Sequence, residues 1–522
     1  MGLKEIITGR NRDLIALLLF TAFWLSLLTI SGTINSGFHF QDDHEIITIS
    51  KRIDDNGLFA ASLSILKEDM VTRFRPFYYI HRIALVELLG TNFMYWSVYT
   101  ALLAILTSFL LYLFLIRQGY KFINAFLFPF LTLIGAQSAI WWRLGPAETT
   151  GIFFLSAALY FLANSIINGK KYQLMISVLC LIFSALSKES FALVIPAYVM
   201  FFILIKWQIR PENNLLRIIV INIIPVAVFI FILLGLAYII VFVIGTGGPG
   251  YGGHDSSVSI GAYLTSVYSL LRKNEYTDLS LIGLFFLLQN LRTWKISMTV
   301  FKEKLLPFFF TALIAMLIIV PQFVLYYSTG LWERYLIPMT LGLAFFVVFL
   351  SERVYVSSEI SMFTKRAYSV LIIIAVLWFM KSETIPNAKL FAADGESTNK
   401  LLSSIIDNSE SNDPVLIVLN APKNYEHAFS IDTYLRTGAG KNNLKYFNIE
   451  ASSSDEFDKG LTMRLSAAFD TLMVKELSYN YKCIAILPFP HNADIINTIS
   501  SDKGYRRTDY NAYTFFIKND NK

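Results

Sequence analysis

Apolar runs of membrane-crossing length, parted by short polar breaks, fill the chain from Leu14 to Met380. A helix needs about 20 apolar residues to cross the hydrocarbon core of a bilayer. On that rule the pattern predicts about eleven spans: Leu14–Ile34, Asn92–Ile116, Phe122–Trp141, Thr149–Ile167, Leu174–Ser187, Phe191–Ile205, Ile218–Ile244, Asp278–Leu291, Leu305–Tyr327, Leu331–Leu350 and Ala367–Met380. The run Asp278–Leu291 is short, and either begins earlier, near Tyr263, or turns back within the bilayer. The first run is too long for a signal peptide and lacks a small-residue cleavage site, so it reads as a retained span. At about Thr384 the pattern changes. Short apolar runs appear at Val415–Leu419, Leu444–Ile449, Cys483–Leu487 and Thr514–Ile517, with helix-compatible polar stretches such as Ser397–Ile406 and Phe457–Lys475 between them. That alternation predicts a small α/β domain. The chain thus divides into a membrane part, 1–383, and a second domain, 384–522.

Composition agrees. Hydrophobic residues make up 55% of the 522, and charged ones only 16%, where a soluble domain carries roughly a quarter. A net charge of +6 suits loops resting on anionic lipid and gives no sign of nucleic-acid binding. Cys180 falls in an apolar run and Cys483 in the polar C-terminal part, which predicts neither a disulfide nor a zinc site.

Lys and Arg cluster in alternate short loops: Lys4, Arg10 and Arg12; Arg117 and Lys121; Lys170 and Lys171; Lys206, Arg210 and Arg217; Arg292, Lys295, Lys302 and Lys304; Arg353, Lys365 and Arg366. The bias puts these loops and the N-terminus in the cytoplasm. An odd number of spans then puts the C-terminal domain on the periplasmic or extracellular side of the inner (plasma) membrane. Two further segments fall outside: the first outer loop, 35–91, and Gly245–Thr277, which opens with GTGGPGYGG. The glycine run is not helical, and Ile260–Leu271 behind it has the spacing of a helix lying on the membrane surface.

The candidate chemistry lies on that same outer side. The first outer loop holds Gln41-Asp42-Asp43-His44-Glu45. Its acids suit a general base with a positioning neighbour, or simply a solvated turn capping a helix. Asp43, His44 and Glu45 offer oxygen and nitrogen ligands, so a divalent cation stays open, without a firm metal spacing. Arg73 and Arg75, among aromatics, suit a bidentate phosphate grip or interfacial anchoring. Ser187-Lys188-Glu189-Ser190 joins two minimal spans and carries charge that a tight link does not need, a mark of a functional cavity at membrane depth. Arg143 and Glu148 flank a Gly-Pro step after two tryptophans, and Glu333 and Arg334 open a late span. Acids and cations beside an apolar wall suit a substrate with a phosphate and a polyisoprenoid tail.

With these residues in place the chain resembles the GT-C superfamily of polytopic glycosyltransferases, which includes protein O-mannosyltransferases, aminoarabinose transferases and O-antigen-modifying enzymes. The likeness rests on the layout: a first span, a long outer loop opening with Asp42-Asp43, many spans and an outer C-terminal domain. Arg75-Pro76, Ser187-Lys188-Glu189 and Arg334-Tyr335 followed by Pro338 resemble shorter elements of the superfamily. The resemblance implies an all-α polytopic transmembrane bundle of GT-C type with a small extracytoplasmic α/β domain. It implies a polyprenyl-phosphate-linked sugar as donor, and an envelope glycan such as O-antigen, a lipid such as lipopolysaccharide's lipid A, or a protein as acceptor. Asp42, or else Asp43, is then the base. Lys188 and Arg334, then Arg73 and Arg75, hold the donor phosphate, with Glu189, Glu148, Arg143 and Glu333 in support. Inversion at the anomeric carbon follows from one-step displacement. The competing readings are an O-antigen polymerase or ligase and a polytopic transporter or flippase.

Overall fold

The computed structural model describes residues 3–40, 42–71, 73–209, 218, 220–244, 261, 275–289, 306–326, 333–358, 360–449, 462–463, 465, 467–477, 480–489, 492–502 and 504–519. The glycine run from Gly245, the surface helix expected over 260–271 apart from Gly261, and the basic loops 210–217 and 290–305 lie outside them.

The membrane part is helical: α1 Leu3–Ser31, α2 His44–Asn56, α3 Leu58–Asp69, α4 Pro76–Leu89, α5 Phe93–Arg117, α6 Phe122–Leu133, α7 Ala147–Asn168, α8 Lys171–Ala185, α9 Ile195–Ile209, α10 Ile223–Tyr238, α11 Glu275–Gln289, α12 Leu306–Leu325, α13 Ile337–Val356 and α14 Met362–Phe379. Among the described residues, seven helical stretches are long and apolar enough to cross a membrane: Asn11–Ser31, Phe93–Arg117, Ala147–Asn168, Glu189–Ile209, Leu306–Phe323, Arg334–Val356 and Met362–Asn408. Four further apolar helices, Phe122–Leu133, Lys171–Ala185, Ile223–Tyr238 and Thr277–Leu288, are shorter. The chain is therefore a multi-pass membrane protein, and the count of eleven spans is not reached by length.

The shortening has local causes. The run expected to span from Phe122 to Trp141 leaves the helix after Leu133, where Gly135 takes φ 104° and a tighter 3₁₀ turn, Ala136–Trp141, follows. The run expected from Leu331 keeps spanning length, as Arg334–Val356, but becomes α-helical only at Ile337, after a 3₁₀ turn at Glu333–Leu336 and with Pro338 in its first turn. Proline is tolerated there because its missing N–H would have no partner anyway. Both irregular turns end up packed together, and both border the site described below.

Small residues let the helices close. The Gly151 backbone lies against the Phe191 ring, so closely that a Cβ there would collide with it. Ser177 Oγ donates to the Ala158 carbonyl across the α7–α8 hairpin. The hairpin turns at Gly169 in the left-handed conformation, φ 68°.

The last membrane helix does not stop at the surface. It passes through a π-turn, Met380–Thr384, into α15, Ile385–Asn408. The wider turn accommodates Pro386, which cannot donate to the preceding turn. A single 47-residue helical stretch, roughly 70 Å long, thus leads from the membrane into the C-terminal domain.

That domain is a five-stranded sheet in the order β2-β1-β3-β5-β4, from β1 Val415–Leu419, β2 Leu444–Asn448, β3 Cys483–Ile486, β4 Tyr505–Tyr510 and β5 Tyr513–Lys518. The β1 strand pairs parallel with β2 and β3, while β5 runs antiparallel to β3 and β4. The central strands β1 and β3 are buried at every position, which explains their uninterrupted apolar sequences. Val415, Ile417 and Leu419 pack with Leu401, Leu402 and Ile405 of α15. Leu416 and Val418 pack on the other face with Ile496 and Ile499 of the helix Ala493–Ser500. The polar edge strand β4, YRRTDY, has no apolar run and was not among the expected strands. Its hairpin turns at Asn511, with φ 51°. A further helix, α16 Ala421–Asp432, follows β1. Cys180 and Cys483 are both free thiols.

Candidate active site

The segment between α1 and α2 is held to the C-terminal helix α15 by polar bonds that leave it little freedom. Asn399 of α15 donates to the carbonyls of Ser36 (2.8 Å) and Phe38 (3.2 Å) and accepts from the Phe38 N–H (3.2 Å). His39 stacks on the Phe391 ring, 3.8 Å between centroids. Asp43 Oδ2 accepts from the His39 backbone N–H at 3.0 Å and lies 3.2 Å from its Nδ1. Asp43 stands at the N-cap position of α2, but its side chain makes no cap bond and turns back to His39. It is buried there, 3% exposed, against His39.

The neighbouring Asp42 faces the other way. Its Oδ2 accepts from Arg334 Nη1 at 2.5 Å. Arg334 Nε also lies 3.9 Å from Glu148 Oε1, and Lys188 Nζ donates to that same Glu148 oxygen. A row of alternating charge, Asp42–Arg334–Glu148–Lys188, therefore links the segment between α1 and α2 to the starts of α7 and α13 and to the turn before α9. Alternation is what lets charge persist here, since each buried ion has an opposite neighbour. Lys188 is capped by aromatic faces, lying 4.3 Å from the Tyr335 centroid and 5.8 Å from that of Tyr326, and the two rings stack at 4.6 Å. Cation–π contact adds to its hold.

Arg82, on α4, fixes the backbone of this loop. Its Nη2 donates to the Asp42 carbonyl and its Nη1 to the Tyr78 hydroxyl, both at 2.9 Å, and its Nε lies 3.4 Å from Glu45 Oε2. The Tyr78 hydroxyl donates in turn to the Gly145 carbonyl at 2.6 Å. Burial alone would push the Asp42 carboxyl up, but Arg334, then Arg82 and Arg143, more than offset it and hold the acid below its ordinary range. Nearby His81 is pushed down to about 4, first by burial and then by Arg82, and so is neutral at pH 7.

The remaining expected site residues divide. Arg143 is half-buried and close enough to act on Asp42. Glu189 is buried at the start of the one-turn helix Glu189–Ala192 and acts electrostatically on Arg75. Arg75 has its fork on Asp69, with Nη2 at 2.6 Å and Nε at 3.1 Å from Oδ1. Arg73 is half-buried on the link between α3 and α4. Glu333 lies in the 3₁₀ turn, and its side chain is outside the described residues. Asp43, His44 and Glu45 diverge: Asp43 faces His39, His44 Nδ1 lies 3.1 Å from Ser430 Oγ, and Glu45 faces Arg82. They do not form a cation site, and among the described residues no cluster of three or more His, Cys, Asp or Glu does.

Sequence reasoning gave no role to Arg82, Tyr78, Tyr335, Tyr326 or Gly145. Gly145 is the most exacting. A Cβ at this position would lie 2.7 Å from Asp42 Cβ and 2.9 Å from Arg82 Nη1. Gly145→Ala is therefore expected to displace the acid and cut activity about 10²-fold with only a small drop in melting temperature. Transfer rates and thermal unfolding of the detergent-purified variant check this.

No family model matches the chain, and no curated protein matches it. Among solved structures the chain is similar to ArnT from Cupriavidus metallidurans, bound to undecaprenyl phosphate. The identity is 14% and the TM-score 0.46, with 97% of this chain and 98% of that chain covered.

Proposed function

We propose that this protein is a membrane glycosyltransferase that moves a sugar from a polyprenyl-phosphate donor to an envelope glycan, lipid or protein on the outer face of the membrane. One observation carries the reading: four separated segments bring Asp42, Arg334, Glu148 and Lys188 into one charged row beside apolar helices. Exposure separates their roles. Asp42 is 31% exposed and Glu148 2%, so Asp42 is the acid an acceptor can reach. Arg334 is 22% exposed and Lys188 7%. Arg334 is then the cation that meets the donor phosphate, and Lys188, behind Glu148, keeps that carboxylate charged and in place.

The acceptor oxygen attacks the anomeric carbon as the bond from that carbon to the phosphate oxygen breaks. The hydroxyl proton passes to Asp42, and the polyprenyl phosphate leaves with one more negative charge. Arg334 sits where that charge grows, and a cation fixed in advance stabilises it. As Arg334 turns toward phosphate, Asp42 loses part of what depresses its pKa and becomes a stronger base when one is needed. Attack from the face opposite the phosphate inverts the anomeric centre.

The direct test compares surface glycans, and the pool of polyprenyl-phosphate sugars, in cells with and without the gene. Loss of one sugar from a surface glycan with accumulation of its lipid carrier form is expected. Identical glycans and lipid pools would end the reading. A second expectation concerns pH. A base works only when deprotonated, so its contribution is present above its pKa and lost below it. With Asp42 held below its ordinary range, the wild type should show no acid limb from this group in mild acid. In Arg334→Met the burial contribution is no longer offset by that guanidinium, so the pKa rises. The acid limb of kcat/KM against pH should move upward, beneath a lowered maximum.

A further inference from the structure

We infer that Glu426 of the C-terminal domain is the acceptor-side positioning residue of this site, and that it selects a neutral, hydroxyl-rich glycan. The inference rests on the glycosyltransferase reading above and adds the acceptor's chemistry to it. The α16 helix docks on the segment that bears Asp42. Ser430 Oγ lies 3.1 Å from His44 Nδ1, the His427 ring meets the Phe40 ring edge-on at 5.6 Å, and Phe38 packs on Tyr434 at 4.7 Å. Asn424 breaks the first turn of α16 with non-helical angles, so the regular helix runs from Tyr425. Within it Glu426 lies one turn before Ser430, on the same face. It is therefore directed at the start of α2, two residues beyond Asp42.

Glu426 is exposed, and among the described residues no hydrogen bond or ion pair takes up its carboxylate. The protein around it still desolvates the group, although its surface stays open, and this raises its pKa. Asp42 raises it further, against Arg334, His44 and Arg143. The acid thus feels the reacting pair without closing on it. The apolar helices and Lys188 belong to the membrane part, and Glu426 belongs to the C-terminal domain. A lipid-linked donor occupies the former and leaves the latter to the acceptor. A carboxylate only accepts hydrogen bonds, and its two oxygens match neighbouring hydroxyls of a sugar ring. An anionic acceptor would meet two carboxylates, Glu426 and Asp42.

The test uses the full chain in proteoliposomes, with a polyprenyl-phosphate hexose as donor. The acceptor probe is the neutral polysaccharide fraction stripped from cells lacking the gene. Glu426→Gln is expected to raise the KM for this polysaccharide about 10- to 100-fold, with kcat changed less than about threefold, and Glu426→Asp to recover part of the loss. A second readout needs no turnover. Glu426→Cys should react with a membrane-impermeant maleimide, above the background of a wild type whose own cysteines are buried or half-buried. The neutral polysaccharide should slow that labelling about tenfold, and the anionic polysaccharide fraction should leave it unchanged. An unchanged KM, absent protection, or protection by the anionic fraction would overturn the inference. Absence of any sugar transfer by the wild type in the same vesicles would overturn the glycosyltransferase reading instead, and the labelling result would still decide the placement of Glu426.

Discussion

Asp42→Asn is expected to lower sugar transfer by about 10²–10⁴-fold, the usual worth of a positioned proton acceptor. The amide keeps the shape of the side chain and an oxygen for Arg334, but it cannot take the proton. The loop should stay in place, because Arg82 binds the carbonyl of residue 42 and not its side chain, and because Asp43 and His39 are untouched. Initial rates in membranes matched for protein content measure the effect. A rate within threefold of wild type would remove Asp42 from the mechanism. Asp43→Asn gives the contrast. It weakens the hold on His39 and should show mainly as lowered thermal stability, with a smaller loss of rate.

Lys188→Met should destabilise the protein by about 3–5 kcal/mol, the range for leaving one member of a buried ion pair without its partner. Glu148 would keep only Arg334, at 3.9 Å, which places the effect at the lower end. The double variant Lys188→Met/Glu148→Leu removes both charges and should recover most of the lost stability, since apolar replacements of buried pairs are often neutral or better. Its transfer activity should stay low, because Arg334 no longer has Glu148 to orient it. Unfolding in detergent and transfer rates, measured on the same preparations, separate the two effects. A single variant as stable as the wild type would show that the pair is not structural.

Much of this molecule could be read along the chain. The apolar runs announce helices because an apolar segment of that length has no other way to satisfy its backbone in lipid. Four of the five strands were legible for a related reason. β1 and β3 are covered on both faces, and such strands must be apolar throughout. The edge strand β4 escaped because one face of it meets solvent. The helix joining the membrane part to the C-terminal domain was legible over Ser397–Ile406, and its continuity with the last membrane helix escaped. The π-turn just before Pro386 carries the helix past that residue.

The charged residues of the site could be nominated from sequence, since charge beside apolar runs needs a reason. Their division of labour could not. Asp42 and Asp43 are adjacent and chemically identical, and the turn into α2 sends one to Arg334 and the other to His39. Arg334, and after it Arg75, were both nominated for phosphate, and the fold pairs Arg75 with Asp69 and leaves Arg334 between Asp42 and Glu148. Local sequence determined which segments are apolar enough to form membrane helices and which charged residues interrupt them, because lipid acts on each segment independently. Tertiary structure decided which acid is the more exposed, which cation stands between two carboxylates, and that Gly145 packs against Asp42. Those are distances between residues far apart in the chain, and they exist only once the helices have packed.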